Sequence, residues 1–77
     1  MTLGQLRRGQ QACILNAPDP QGLGARLIEF GFVADAEIEV LAEAPFGGDP
    51  MLIRIHGTRV AVRRDDANGI HVRLITP

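Results

Sequence analysis

Three side chains of the types that bind transition metals occur in the chain: Cys13, His56 and His71. Alternation along two predicted strands places both histidines on the solvent side. They could therefore approach each other and, with Cys13 or a carboxylate, hold a metal ion. The three residues have no compact motif spacing, and a hydrogen-bonded or solvated side chain is the better interpretation of each histidine. We predict no cofactor and keep these residues only as metal-binding candidates, including for a metal shared by two copies.

Residues that could catalyse a reaction are equally scarce. Cys13 lies in an apolar run, where a thiol usually acts as a small hydrophobic side chain. Asp65 and Asp66 are adjacent carboxylates, but their position suits the capping of a one-turn connector better than acid–base catalysis. Gly47 and Gly48 do not form a phosphate loop, because the lysine and the serine or threonine of such a loop are absent. We predict that the protein is not an enzyme.

The segment from Ala44 to Pro50 is a candidate for contact with a partner. Phe46 stands there between a proline and two glycines, Gly47 and Gly48, in a chain with only three aromatic residues. This phenylalanine is either a plug that points into the core or an exposed contact. Aromatic side chains are enriched at binding hot spots, and we interpret Phe46 as a partner contact.

Length and composition restrict the class of protein. At 77 residues, the chain is predicted to be one domain spanning 1–77, with a core near the lower limit for independent folding. The single cysteine rules out an internal disulfide and suits a reducing compartment. We expect a cytoplasmic protein, because the amino end lacks an apolar signal core and no apolar run approaches the roughly 20 residues that cross a bilayer. The net charge of -1 predicts no general attraction to nucleic acid or anionic lipid.

One short helix is predicted between Asp19 and Gly31. Asp19 can cap the first turn, Pro20 suits the first position, and Gly31 can end the helix in the left-handed conformation. Gly22 and Gly24 weaken the first turn. Apolar residues at three- to four-residue spacing are expected to form one buried stripe: Leu23, Leu27 and Phe30, with Ile28 beside them.

Five short runs with alternating apolar residues predict strands over residues 12–15, 36–43, 51–56, 59–63 and 70–75. Gly57-Thr58 is expected to form the turn between the third and fourth strands. The side chains predicted to point inward are Ile38, Val40, Ala42, Met51, Ile53, Ile55, Val60, Val62, Ile70, Val72 and Leu74. These elements predict the all-β class, mainly β with one short α-helix. We expect a small, partly open SH3-like barrel of about five strands, because closing the sheet removes exposed edges.

Charges are segregated along the chain. Glu37, Glu39 and Glu43 are expected to face solvent on one strand, opposite arginines of the neighbouring antiparallel strand. Five arginines could share a face suited to nucleic acid: Arg54, Arg59, Arg63, Arg64 and Arg73. Stacking aromatic residues are missing from that face, because only Phe46 is expected to be exposed. We therefore predict that nucleic acid is not the partner.

Several segments, in order and spacing, resemble the FeoA family, the ferrous iron transport protein A of bacteria. The resemblance is carried by residues 3–9, 26–33 (RLIEFGFV), 37–40 (EIEV), 44–50 (APFGGDP) and 57–63 (GTRVAVR), with Ala67 and residues 70–72 behind them. The chain departs from the family at Ala34-Asp35, where proline and glycine are common, and at Phe30, where a leucine often precedes the glycine.

The resemblance implies an SH3-like fold without catalysis, in a small cytoplasmic accessory protein of ferrous iron uptake. Such a protein acts through the cytoplasmic part of the membrane transporter FeoB and reaches the membrane only through it; a homo-oligomer is left open. We expect the binding surface to combine the loop, the helix and the arginine-bearing hairpin: Phe46, Gly47, Gly48, Arg26, Glu29, Arg54 and Arg59. The alternative is a stand-alone metal-sensing or regulatory domain, with a nucleic-acid-binding barrel ranked behind both.

Overall fold

The computed structural model describes residues 1–21 and 23–75, apart from the side chain of Leu23. The predictions for Gly22 and for the burial of Leu23 lie outside the described residues. The α-helix is α1 (Leu23–Glu29), and 3-10 helices span Leu3–Gln5 and Asp65–Ala67. The strands are β1 (Gln11–Ile14), β2 (Glu37–Glu43), β3 (Met51–Ile55), β4 (Thr58–Val62) and β5 (Val72–Leu74). The mainly β class with five strands and one short helix is confirmed. No helix among the described residues is long and apolar enough to cross a membrane.

All five strands form one antiparallel sheet in the order β4-β3-β2-β1-β5. Glu39 of β2 lies opposite Arg54 of β3, and their side chains form an ion pair, so the expected pairing of opposite charges is confirmed there. The core lies against the inner face of the sheet, and its buried members come from every strand, the helix and both 3-10 helices. They are Leu3, Leu6, Ala12, Ile14, Leu27, Phe32, Ala36, Ile38, Val40, Met51, Ile53, Ile55, Val60, Val62, Ala67, Ile70 and Val72.

The helix begins later than predicted. α1 starts at Leu23, so Asp19 is not its cap and Pro20 is not its first residue. The Asp19 carboxylate instead accepts a hydrogen bond from the backbone N–H of Gln21, at 3.0 Å, and forms a local turn before the helix. Aspartate commonly bonds a backbone group two residues ahead in this way, which competes with helix formation.

Gly31 terminates the helix as predicted, two residues after Glu29, in a left-handed conformation with φ of 103°. The N–H groups of Gly31 and Phe32 donate to the carbonyls of Ile28 (2.9 Å) and Leu27 (3.0 Å), which is the Schellman arrangement. In that arrangement the residue after the glycine packs against the last turn of the helix, and Phe32 is fully buried. Phe30 is 40% exposed, so the prediction that it belongs to the buried stripe is wrong.

A β-bulge interrupts the alternation of β2. Val40 pairs with Ile53, but Ala42 pairs with Leu52, so Leu41 is an extra residue without its own partner on β3. The bulge reverses the faces of the residues that follow it. Ala42 is half-buried beside Leu52 instead of lying in the core. Glu43 lies opposite the buried Met51, on the other face of the sheet from Glu37 and Glu39.

The hairpin between β3 and β4 turns one residue earlier than predicted. His56 and Gly57 form the two-residue turn, with φ values of 49° and 78°, and Thr58 already belongs to β4. Positive φ at both positions gives the turn a twist that matches the twist of the two flanking strands, as a two-residue hairpin requires. His56 is therefore a turn residue and not an outward-facing strand residue.

Replacing Asp35 with glycine is expected to raise the free energy of unfolding by up to about 1 kcal/mol. Asp35 has a φ of 73°, a conformation that costs a residue with a side chain about 1–2 kcal/mol. Glycine avoids this cost, but part of the gain is offset because glycine loses more backbone entropy on folding. Its backbone N–H bond to the carbonyl of Ile14, at 2.7 Å, is kept in the variant. Urea unfolding measures the change.

The matched control for this substitution is Asp66→Gly, in the 3-10 helix Asp65–Ala67, where glycine brings no relief and is expected to lower stability. A lower stability of Asp35→Gly than of the parent protein would contradict the strain argument.

Candidate protein-interaction site

The loop between β2 and β3 presents Phe46 entirely to solvent. The N–H of Ala44 donates to the carbonyl of Pro50 (3.1 Å), and the N–H of Gly48 donates to the carbonyl of Ala44 (3.0 Å), so the loop is closed by its own backbone. Phe46, Gly47 and Gly48 all have positive φ, at 62°, 114° and 72°. Phe46 is therefore not a core plug, and it holds an unfavourable backbone conformation while its ring contacts little of its own chain.

Arg64 fixes the base of this loop to the amino-terminal segment. Its guanidinium donates through Nε to the carbonyl of Gly48 (2.9 Å), and through Nη1 to the carbonyls of Gly4 (2.9 Å) and Leu6 (2.7 Å). Its backbone N–H donates to the Asp49 carboxylate at 2.9 Å. The side chain is only 17% exposed, so three carbonyl groups depend on it for a partner.

Glu43 completes the network on the other side of Arg64. The carboxylate lies 3.5 Å from Nη2 of Arg64 and accepts a hydrogen bond from the backbone N–H of Arg8 at 2.7 Å. A second ion pair joins it to Arg7 at 3.8 Å. The β-bulge of β2 places Glu43 here, because it turns this residue toward the side of Met51.

Phe46 shares a surface depression with two arginines that were not among the predicted contact residues. The depression measures about 450 Å³ and is lined by Arg7, Arg8, Glu43, Ala44, Phe46, Gly47 and Gly48. Arg7 and Arg8 precede a glycine turn 35 or more residues from the loop, so no local pattern connects them with Phe46. The two arginines lie near Phe46 because the backbone N–H of Arg8 bonds to the carboxylate of Glu43 at the base of the loop.

Arg26 and Arg59, two of the predicted contact residues, meet in a second place. Both line a groove of about 310 Å³ between α1 and β4, together with Leu27, Phe30, Val60 and Ala61. A third depression, lined by residues that include Ala42, Ala44, Leu52 and Ala61, adjoins both others, since it shares Ala44 with the first and Ala61 with the groove. The loop and the groove are thus connected by mostly apolar surface.

The remaining predicted contact residues lie outside these two places. Glu29 is exposed on α1 but does not line the groove. Arg54 pairs with Glu39 on one side and lies opposite Arg59 on the other, so it belongs to the outer face of the sheet. The five arginines considered as a nucleic-acid face do not form a unit, because Arg64 is engaged with backbone carbonyls.

The three metal-binding candidates lie in three different segments of the structure. Cys13 is half-buried in β1 opposite Glu37, and His56 lies in the β3–β4 turn against Gly31, where an added Cβ would come within 2.6 Å of the ring. His71 is exposed just before β5 and forms an isolated bridge with Thr2. Within residues 1–21 and 23–75, no group of three or more histidine, cysteine, aspartate or glutamate residues is placed to hold a metal ion.

Comparison with known proteins agrees with this architecture. A relative from Porphyromonas gingivalis, an Fe(2+) transport protein A/Fe(2+) transporter FeoB fusion protein, is 38% identical over 76 residues, which are 99% of this chain and 9% of that protein. The chain thus spans only a small part of that relative's length. A Campylobacter jejuni relative, assigned as an Fe(2+) transport protein A, is 31% identical over 97% of this chain and its own full length.

Solved structures show the same fold. FeoA of Stenotrophomonas maltophilia, described as a procaryotic SH3 domain protein complexed with zinc, has a TM-score of 0.82 and 33% identity, covering 95% of this chain and 89% of that one. FeoA of Chlorobium tepidum has a TM-score of 0.86 and 32% identity, covering 99% and 71%. The SH3-like fold and the resemblance seen in the sequence are confirmed. Since the FeoA domain family also matches residues 1–74, the chain belongs to the FeoA domain family.

Proposed function

We propose that the protein is a cytoplasmic accessory component of bacterial ferrous iron uptake that acts, without catalysis, by binding the cytoplasmic part of a FeoB-type transporter. The fusion relative supports this partner, because it carries both parts in one polypeptide. Fusion of two domains keeps them at a high effective concentration, which is useful when they must contact each other.

The observation that carries the proposal is the presentation of Phe46. An apolar ring fully in water contributes nothing to the fold, and its positive φ destabilises the folded state. Strained backbone is typical of functional sites when the surrounding structure holds it in place, as Arg64 and Glu43 do here. Exposed aromatic residues beside arginines have the composition of a binding hot spot.

The proposed contact surface centres on Phe46, Gly47 and Gly48, with Arg7 and Arg8 beside them. It extends over the apolar outer surface toward Arg26 and Arg59. Glu29 and Arg54 are assigned to its margin, because they lie outside both the loop depression and the groove.

Replacing Phe46 with alanine is expected to weaken co-purification with a tagged cytoplasmic part of FeoB by about 10-fold or more, as for other aromatic hot spots. Ferrous iron uptake should fall with it. The free energy of unfolding should change by less than about 0.5 kcal/mol, because the ring is fully exposed. Phe46→Gly should bind equally weakly and be at least as stable, since it also relieves the positive φ.

The matched control is Leu15→Ala, an exposed apolar side chain just beyond β1. It should leave both binding and uptake unchanged. Undiminished binding by Phe46→Ala would remove the loop from the interface. A loss of several kcal/mol of stability would show that the ring supports the fold instead.

Metal sensing is the second candidate, favoured by the zinc bound to the Stenotrophomonas maltophilia relative. Titration calorimetry with ferrous iron and with zinc separates the two functions. A sensor requires a defined stoichiometric site, whereas an accessory protein that acts through Phe46 binds its partner equally well after treatment with a chelator.

A further inference from the structure

β4 is an edge strand whose outer side has no partner strand among the described residues. The two-residue turn at His56 and Gly57 makes Ile55 and Thr58 a hydrogen-bonded pair, and such pairs alternate along an antiparallel ladder. Thr58, Val60 and Val62 therefore bond to β3. The N–H and C=O groups of Arg59 and Ala61 point away from it, toward the open edge.

The groove between α1 and β4 lies along this edge. One wall consists of Arg59, Val60 and Ala61. Arg59 and Ala61 carry the outward-pointing backbone groups, and Val60 lies between them. The opposite wall consists of Arg26, Leu27 and Phe30, of which Phe30 is the partly exposed aromatic residue. A groove bounded by a strand edge and a helix is the geometry in which an extended peptide can add to a sheet.

Charge decides which occupant fits the groove. Arg26 and Arg59 line it and no acidic residue does; neither arginine has a salt bridge within the described part of the chain. A second copy paired edge to edge would add two more arginines to the same edge and no acidic residue of the groove to offset them. An acidic strand would instead repeat the arrangement already present within the sheet, where Glu39 of β2 lies opposite Arg54 of β3.

We propose that the β4 edge binds an extended acidic segment of a partner polypeptide as a sixth strand. The peptide backbone bonds to the N–H and C=O groups of Arg59 and Ala61. An acidic side chain of the peptide lies opposite Arg59 on the outer face, and an apolar one opposite Val60 packs toward Leu27 and Phe30. This binding mode does not depend on the transporter being the partner.

The test uses the capped octapeptide TEVEVEVT as a probe and amide NMR of the full chain as the readout. Binding is expected at a dissociation constant below about 1 mM at low salt, and it should weaken as salt is added. At saturation, hydrogen exchange of the Arg59 and Ala61 amides should slow by about 10-fold or more, because only these outward groups gain new partners. The peptide TKVKVKVT should not bind.

Two further probes separate strand addition from simple charge attraction. The TEVEVEVT peptide with N-methyl groups on alternate residues of its pairing edge keeps its charge but loses its donors, and should fail to bind. Ala61→Pro removes one outward N–H without touching the bonds between β4 and β3, and should likewise fail to bind while keeping its melting temperature within a few degrees.

The charge argument has its own matched pair. Arg59→Gln should weaken TEVEVEVT binding by about 2- to 5-fold, as for loss of an exposed ion pair, whereas Arg73→Gln on the opposite edge strand should not. Absence of binding at low salt, or binding that Ala61→Pro and the N-methyl peptide leave intact, would overturn the proposal. Concentration-dependent protection of Arg59 and Ala61 without peptide would also overturn it, because a second copy would then be the occupant.

Discussion

Replacing Phe32 with alanine is expected to lower the free energy of unfolding by about 3–5 kcal/mol. Phe32 is the largest fully buried side chain, and it packs where the end of α1 meets the sheet. Truncation removes its transfer free energy and leaves a cavity that the short α1 cannot fill by moving. A domain of this size has a total stability of only about 5–10 kcal/mol, so a large fraction of it is lost.

Thermal unfolding followed by circular dichroism measures this effect, with an expected decrease in Tm of more than about 12 °C. The control is Phe30→Ala, two residues earlier in the same helix end, where the ring is 40% exposed and the loss should stay near 1 kcal/mol. Equal losses for the two variants would contradict the assignment of Phe32 as the aromatic centre of the core.

The contrast between these two phenylalanines shows what sequence periodicity can reveal. The helical stripe of Leu27 and Phe30 predicted that both are buried, which holds for Leu27 alone. The glycine that ends the helix is the better indicator of which phenylalanine is buried. Once Gly31 takes a left-handed conformation, the following residue turns back onto the helix, so the sequence phenylalanine, glycine, phenylalanine places the second ring inside.

The fold class could be predicted because each strand carries its own apolar alternation. The expected facing of opposite charges on neighbouring strands is found between Glu39 and Arg54. The β-bulge at Leu41 could not be predicted from the sequence. Apolar residues continue through it in the sequence, so alternation predicts Ala42 inward and Glu43 outward. Only the pairing with β3 shows that the two have changed faces.

The loop of the candidate site could be predicted from the sequence, but the residues that hold the loop in place could not. Proline and paired glycines identify Ala44 to Pro50 as a turn, but whether Phe46 points in or out depends on backbone angles that local sequence does not specify. The groove between α1 and β4 depends on how the helix docks, and the role of Arg64 depends on partners up to 60 positions away in the chain. These are properties of tertiary structure.

Arg64 connects three segments: the amino-terminal 3-10 helix, the loop after β2 and the start of the second 3-10 helix. No other type of side chain can replace it. A planar guanidinium has donors aimed in several directions at once, whereas a lysine ammonium on a flexible stem cannot reach the carbonyls of Gly4, Leu6 and Gly48 together. The position of Phe46 therefore depends on Arg64, which never touches the partner in our proposal.

Replacing Arg64 with methionine keeps an unbranched stem as far as the position of Nε and removes the guanidinium donors. The expected loss is about 2–4 kcal/mol in the free energy of unfolding, because the carbonyls of Gly4, Leu6 and Gly48 lose their donor and Glu43 loses one of its two cations. The neighbouring exposed Arg63→Met should lose less than about 0.5 kcal/mol.

Hydrogen exchange distinguishes a local from a global effect of Arg64→Met. The Gly48 amide, which bonds to the Ala44 carbonyl, should exchange faster relative to amides of β3 than in the parent protein. Partner binding through Phe46 should weaken as well, since a loop that is no longer fixed must be ordered again on binding. Stability of Arg64→Met equal to that of Arg63→Met would mean that the loop is held by its own backbone alone.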